Sequence, residues 1–278
     1  MKNKFYLSIV ITLLLILLSP VTKSYAQDNI RLKVVTFNIR SFEPDFDVTP
    51  YANILRDLNA DIICLNEVEN RSSRQQVNGK YRDVVQDIAD KLSMFGIFGY
   101  SYNLNNKAGK FPESNYTFCE NELYGNAILS KYPILSSNAF QLPRPESSAD
   151  QRGVLTVDIL LPSSDVIRAV ATHLDHIGGQ MEQAEVLVSD RVLDGKAPTI
   201  LTGDMNVGPG SSVINKILTK FDRMDGDEGT YGGYSKIDFI FGSKNQWKLI
   251  SSKTISPYYN EQELSDHWAV FSEIELVK

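Results

Sequence analysis

Thr199-Ile200-Leu201-Thr202-Gly203-Asp204-Met205-Asn206 is a short apolar run that breaks into a carboxylate and an amide. The run is too brief for a helix and rich in β formers, so it reads as a strand that delivers Asp204 and Asn206 at its end. Far downstream, Ser265-Asp266-His267 opens a similar run, Trp268-Ala269-Val270-Phe271. Both polar groups fall at strand ends, where a rigid scaffold displays chemistry.

The same theme recurs along the chain. Residues 33–37 lead to Asn38, 61–65 to Glu67 and 166–172 to His173, while 237–241 contain Asp238. Between these runs, apolar residues three or four apart, such as Val84, Ile88, Leu92 and Phe95, predict helices over 51–58, 81–95, 181–193 and 212–221. Residues 127–129, 154–160 and 168–171 read as a meander, with Pro162-Ser163-Ser164-Asp165 as a hairpin turn. Helix crossovers mixed with hairpins predict an α/β fold of two packed mixed β-sheets flanked by helices, rather than a purely parallel, doubly wound sheet. Residues 101–121 are polar with interspersed Tyr102, Phe111, Tyr116 and Phe118, and read either as a functional loop or as a mobile surface one.

At 278 residues, with ordinary composition and no repeat, the chain has the length of one large domain. Lys2 and Lys4 precede an apolar stretch over 5–18, and Ser24-Tyr25-Ala26 supplies small residues where a signal peptidase reads. Residues 1–26 are therefore expected to be a signal peptide and 27–278 a single domain that is secreted or periplasmic, with a retained membrane anchor as the alternative. Loss of Lys2, Lys4 and Lys23 takes the formal charge from −6 to −9. An acidic chain lacks the broad Lys/Arg surface that grips polyanions, although a local basic rim or a bound divalent cation can offset that average. Two cysteines, Cys64 and Cys119, exclude a disulfide scaffold. Cys64, inside Ile62-Ile63-Cys64-Leu65, reads as a small buried hydrophobe, with a Cys64–Cys119 bond as the other reading.

Asp204 and Asn206, two apart on an extended segment, would face the same side. The carboxylate can take a proton from water while the amide donates to a phosphoryl oxygen; the plain alternative is an Asx-rich turn before Gly208, Pro209 and Gly210. Glu67 follows an apolar strand, and with Asp266 it offers the oxygen ligands that suit Mg2+, or Mn2+; a solvated carboxylate paired with Arg71 is the competing reading. Of the three histidines, His267 beside Asp266, with Asp238 available elsewhere, reads as an imidazolium oriented by a carboxylate. His173 reads as a stabiliser of negative charge and His176 as a satisfied structural residue. A zinc set of His173, Asp175 and His176 lacks a completing cluster.

Taken in order, Thr36-Phe37-Asn38-Ile39-Arg40, Leu65-Asn66-Glu67-Val68, Tyr124-Gly125-Asn126-Ala127-Ile128-Leu129-Ser130, His173, Gly203-Asp204-Met205-Asn206, Ile237-Asp238-Phe239-Ile240 and Ser265-Asp266-His267 resemble the motif series of the endonuclease/exonuclease/phosphatase superfamily. The resemblance spans residues 33–271, and its strength lies in the ordered set. It implies a four-layer α/β sandwich, deoxyribonuclease I-like, with the site where loops of both sheets meet. It implies Glu67 as the principal metal ligand, with Asn38 and Asp266 around metal and phosphate. Asp204 would activate water, Asn206 would position water and phosphate, Asp238 would orient His267, and His173 would stabilise the transition state or assist the leaving group. Asn126, and Arg152 in Gln151-Arg152-Gly153-Val154-Leu155, would face the substrate, a surface arginine being the alternative for Arg152.

The expectation is a Mg2+-dependent phosphoester hydrolase acting on a small or lipid-linked phosphate, with no obligate protein partner. A nuclease is the second reading, with Lys107, Lys110 and Phe111 reaching a groove. A noncatalytic phosphate-binding module is the third, disfavoured because a binder needs no water-activating base.

Overall fold

Strand β1 (Arg31–Asn38) is apolar at successive positions, so it has to be covered on both faces. Side chains alternate across a strand. Leu32 and Val34 enter one core cluster, whereas Val35 and Phe37 enter another. In the computed structural model, which describes residues 29–43, 45–104 and 122–277, that alternation generates the layers. The expected signal segment, Cys119, Lys107, Lys110 and Phe111 lie outside the described residues.

One six-stranded sheet runs β11 (Trp247–Ile255), β14 (Ala269–Leu276), β1, β2 (Ile62–Asn70), β4 (Leu123–Ser130), β3 (Phe95–Asn103). The other runs β5 (Ile134–Gln141), β6 (Gly153–Leu160), β7 (Val166–His173), β8 (Thr199–Asp204), β10 (Asp238–Ser243), β9 (Phe221–Arg223). A small hairpin pairs β12 (Tyr258–Tyr259) with β13 (Gln262–Glu263). Only β1–β2 and β7–β8 are parallel; every other named pair is antiparallel. Helices α1 (Val48–Leu58) and α2 (Val84–Leu92) cover the outer face of the first sheet, with Tyr51, Leu55 and Ile88 against Val35 and Ile63. Helices α3 (Gln180–Leu187) and α4 (Ser212–Ile217) cover the second, with Leu187 and Ile214 against Leu201 and Phe239. Between the sheets, Val34, Ile62 and Ile128 meet Leu155, Ala169 and Ile240. Each fully buried Ile, Leu or Phe in these layers contributes roughly 1.5–3 kcal/mol. The architecture is the expected helix-sheet-sheet-helix sandwich.

Several local expectations change. The helices expected over 181–193 and 212–221 stop at Leu187 and Ile217, with Phe221 already in β9. The helix expected over 81–95 stops at Leu92 because Ser93 takes a left-handed conformation, φ 55°, and Phe95 already begins β3. The expected meander splits: residues 154–160 and 168–171 pair as β6–β7, but 127–129 belong to β4 in the opposite sheet. Periodicity marks a strand without saying which sheet takes it, since both carry the same alternation. Cys64 is a free thiol packed between the sheets, its ionisation pushed up to about 12 by burial.

Alternation also places the chemistry. In β1, β2, β7, β8 and β10 the inter-sheet face carries Val34, Cys64, Ala171, Ile200 and Ile240. Continuing by twos along each strand reaches Asn38, Asn66, His173, Asp204 and Asp238, all buried. Five polar side chains thus collect at one end of the gap between the sheets.

Candidate active site

Glu67 reaches this end through a break in the pattern. Strict alternation would turn it with Leu65 toward the helix layer. The β2–β4 register shifts between Leu65 and Val68, and Glu67 takes φ 57°. The bulge returns Val68 to the helix-facing cluster and puts Glu67 in the wall of a cleft of about 440 Å³. Asp204 and Asn206 also meet by a turn instead of the expected extended segment. Asn206 has φ 52°, its N–H donates to Asp204 Oδ1 at 2.8 Å, and its amide donates to Leu174 O at 2.9 Å. The Asx turn is itself the device that places both groups, so the structural and functional readings coincide. Gly203 has φ 145°, and a Cβ there would collide with the Thr172 carbonyl, so glycine is required where β8 approaches β7.

Asn38 is the bridge. Its NH2 donates to Glu67 Oε1 at 3.0 Å and Asp204 Oδ2 at 3.2 Å and lies 3.5 Å from His267 Nε2. Its oxygen accepts from Arg40 N at 3.2 Å. The NH2, and not the oxygen, faces the two carboxylates in this arrangement. His267 Nδ1 lies 2.9 Å from Asp238 Oδ2, while Ser265 Oγ donates to Asn38 O at 2.7 Å and accepts the His267 N–H, clipping this loop to β1. Burial alone would lower the His267 ionisation; the Asp238 carboxylate outweighs it and, with Asp204 and Asp266, raises it to about 9. His267 is thus an imidazolium at neutral pH.

His173 is the opposite case. Burial, then the Arg152 guanidinium and the other two histidines, push it well below the usual range. Arg152 Nη1 lies 3.2 Å from His173 Nδ1. A guanidinium can only donate, so Nδ1 accepts and the ring proton sits on Nε2. Nε2 then faces the Asn206 NH2 at 2.9 Å, a donor set against a donor, and lies 3.4 Å from Asp204 Oδ2, a contact that involves a neutral ring and is not an ion pair. Burial, reinforced by Asp238, pushes the Asp204 carboxyl well above the usual range, against the pull of His267.

Arg152, 5 % exposed, is no surface arginine, and Asp266 lines the cleft with Tyr124 and Tyr231. Asn126 differs from expectation. It is buried, accepts from Asn66 at 2.8 Å and donates to Gly153 O at 3.1 Å, so it braces the two sheets and does not line the cleft. Three contributors escaped the sequence reading. Asn66, also donating to Thr172 O at 2.8 Å and accepting from Asp204 N at 3.2 Å, was overlooked beside Glu67. Thr230 Oγ1 takes the N–H groups of Ile237 and Asp238, each at 3.1 Å, and nothing in its surroundings marks it. His176 is exposed in the cleft with Nδ1 3.2 Å from Arg152 Nη2, in place of the satisfied structural histidine expected.

Among the described residues two clusters have metal-ligand spacing, Asp204/Asp238/His267 and Asp150/Asp175/His176. The first is an internally compensated imidazolium pair, and the second holds Asp175, whose oxygens already accept four backbone N–H groups. Glu67 and Asp266 remain as carboxylates in the cleft wall. That donor set is all oxygen and suits a hard divalent cation. A second cleft, of about 410 Å³, is lined by Gln86, Phe95, Ile97, Pro133 and Ser136 among others and carries no ionisable group.

Comparison with curated proteins returned no match. Among solved structures, the fold is similar to an endonuclease/exonuclease/phosphatase from Beutenbergia cavernae (20 % identity, 88 % of this chain and 72 % of that one, TM-score 0.69). It is similar to one from Bacteroides vulgatus (22 %, 89 % and 100 %, 0.68) and to a mannosyl-6-phosphatase from Bacteroides thetaiotaomicron (17 %, 89 % and 100 %, 0.62). The family model for the Endonuclease/Exonuclease/phosphatase family matches residues 35–267, an interval that opens in β1 and closes on the imidazolium of His267, and the chain belongs to that family.

Proposed function

We propose that the chain is an exported, Mg2+-dependent phosphoester hydrolase that acts on a small or lipid-linked phosphate ahead of nucleic acid. The observation that carries the reading is the position of Asp204 Oδ2, which lies 3.2 Å from Asn38 Nδ2, 3.4 Å from His173 Nε2 and 3.7 Å from His267 Nε2. One carboxylate oxygen stands among three groups suited to negative charge, as an acceptor of a water proton beside a phosphoryl group requires.

Water held by Asp204 and the Asn206 segment attacks phosphorus in line with the leaving oxygen. The new P–O bond forms as the old one breaks. The water proton passes to Asp204 and then to solvent, and the departing alkoxide takes a proton from solvent. His267, cationic through Asp238, donates to a non-bridging oxygen. His173 gives a hydrogen bond from Nε2 and no proton, since Arg152 fixes it as a neutral donor. Glu67 and Asp266 would hold the divalent cation, which supplies Lewis-acid stabilisation of phosphate and leaving-group charge.

Among the described cleft residues the Arg152 guanidinium and the His267 imidazolium face four carboxylates, Glu67, Asp150, Asp204 and Asp266, so the protein groups leave no surplus positive charge for a polyanion. The test is turnover of DNA, RNA, phospholipid, inositol phosphate and sugar phosphate by the purified protein, with and without Mg2+. Metal-dependent release of phosphate or alcohol, lost in Asp204→Asn, is expected. Nicking of plasmid DNA far faster than any small ester is hydrolysed would reverse the substrate order, and unchanged turnover in Asp204→Asn would exclude this site.

A further inference from the structure

We propose that the outer wall of the cleft, Asp150, Arg152 and His176, is a hydroxyl-recognition subsite, so that the ester hydrolysed is the phosphate of a sugar or polyol; the proposal rests on the hydrolase reading above. Arg152 forks. One NH2 group meets His173 Nδ1 and the other meets His176 Nδ1, both at 3.2 Å. Because the guanidinium only donates, both imidazoles accept at Nδ1 and each keeps a donor at Nε2. The inner ring's Nε2 is enclosed, 2.9 Å from Asn206 Nδ2 and 3.4 Å from Asp204 Oδ2. The outer ring is exposed in the cleft, and its Nε2–H is the polar group it has left to offer.

Beside it stands an acceptor. Asp150 lines the same cleft, its Oδ2 4.0 Å from His176 Nδ1 and 3.6 Å from Arg152 Nη2. A donor next to an acceptor is the complement of a hydroxyl, which is both at once. Charge separates this from a second phosphate site. The single guanidinium faces two carboxylates, Asp150 and, at 3.7 Å from Nε, Asp175, so the wall has no surplus positive charge for another phosphate or a nucleic-acid backbone. A metal is excluded from the wall by the same guanidinium and by the occupied oxygens of Asp175.

The wall is also rigid. Asp175 accepts from Asp150 N at 2.8 Å, Ala149 N at 3.1 Å, Ile177 N at 2.8 Å and Gly178 N at 3.1 Å, which ties the segment bearing Asp150 to the segment bearing His176. The backbones that carry donor and acceptor are thus tied to one another before any ligand arrives. Tyr231, exposed in the same cleft, offers an aromatic surface to the C–H face of a sugar ring.

The experiment measures kcat and KM for glucose 6-phosphate, glycerol phosphate, phenyl phosphate and a short oligonucleotide with wild type, His176→Ala and Asp150→Asn. The same ligands are titrated calorimetrically into Asp204→Asn protein. Wild type should favour the hydroxyl-bearing esters over phenyl phosphate. Each wall variant should cut that preference about tenfold, mainly through KM, as expected for one lost hydrogen bond to a partly buried group. Absence of preference in wild type, best turnover of the oligonucleotide, or equal losses on glucose 6-phosphate and phenyl phosphate would overturn the subsite. If no ester is turned over yet Asp204→Asn protein binds glucose 6-phosphate tenfold tighter than phenyl phosphate, the subsite stands and the hydrolase reading falls. Equal binding without turnover would sink both.

Discussion

Asp238→Asn keeps the shape of the site and removes the charge that sustains the His267 imidazolium. The two groups are buried and 2.9 Å apart. The rise of His267 from 6.5 to about 9 corresponds to roughly 3 kcal/mol in favour of the charged ring. Because the folded value is the higher one, that stabilisation is complete below 6.5 and fades as pH rises through about 9. Without the carboxylate, burial is opposed only by Asp204 and Asp266, and His267 falls back toward its ordinary 6.5. At pH 8 a full return would take the charged fraction from about nine-tenths to a few per cent, so a rate that needs the imidazolium falls by up to about 30-fold. At pH 5.5 the loss should shrink to a few-fold. With three histidines in the chain, NMR resonances can be assigned from His173 and His176 single variants, and the His267 titration read without any activity. An Asp238→Asn protein whose His267 still titrates above about 8, or whose kcat/KM keeps its alkaline limb in place, refutes the argument.

Other perturbations have equally definite outcomes. Asn66→Ala strands Asn126 Oδ1, Thr172 O and Asp204 N in the buried gap between the sheets, and should cost about 3–5 kcal/mol in urea unfolding; a loss under about 1 kcal/mol would mean water replaces the brace. Glu67→Gln should abolish calorimetric Mg2+ binding and lower kcat by at least about 100-fold without shifting Tm downward, whereas retained Mg2+ affinity would move the cation elsewhere. Gly203→Ala forces a Cβ against the Thr172 carbonyl at a φ that disfavours any side chain, so the protein should unfold at least about 3 kcal/mol more easily, and near-wild-type stability would contradict the β7–β8 approach. Burial opposes ionisation of Asp175, but the N–H groups of Asp150, Ile177, Ala149 and Gly178 together hold it below its usual value. Its contribution is therefore present above about 3.8 and lost as pH falls through the folded value, so Asp175→Asn should lose about 1–3 kcal/mol near neutrality and converge on wild type in acid; a pH-independent gap would refute this.

Much of the sandwich was legible because β1, β2, β7, β8 and β10 are apolar on both faces and end in polar residues, a pattern that needs no tertiary information. Sheet membership was not, since β4 and β6 carry similar alternation and only packing assigns them to different sheets. The site residues at strand ends follow the same logic, and Asn38, His173, Asp204, Asp238 and His267 do converge. The hydrogen-bond partners of the buried amides were not legible: Asn126 is engaged at both ends by Asn66 and Gly153, and the Asn38 oxygen accepts from Arg40 N while its NH2 faces Glu67 and Asp204. His176 was undervalued because its neighbour Asp175 reads as its partner, while the guanidinium that holds it comes from the strand region 24 residues earlier.

Strand β14 lies between β1 and β11, directly after the loop bearing His267. The first sheet therefore cannot close, and the imidazolium cannot arrive, until the last segment of the fold has docked. A ribosome that stalls short of residue 265 leaves not a sluggish enzyme but an inert chain, with the backbone groups of β1 open to any passing strand. Latency during translation is thus a by-product of topology, requiring no inhibitor.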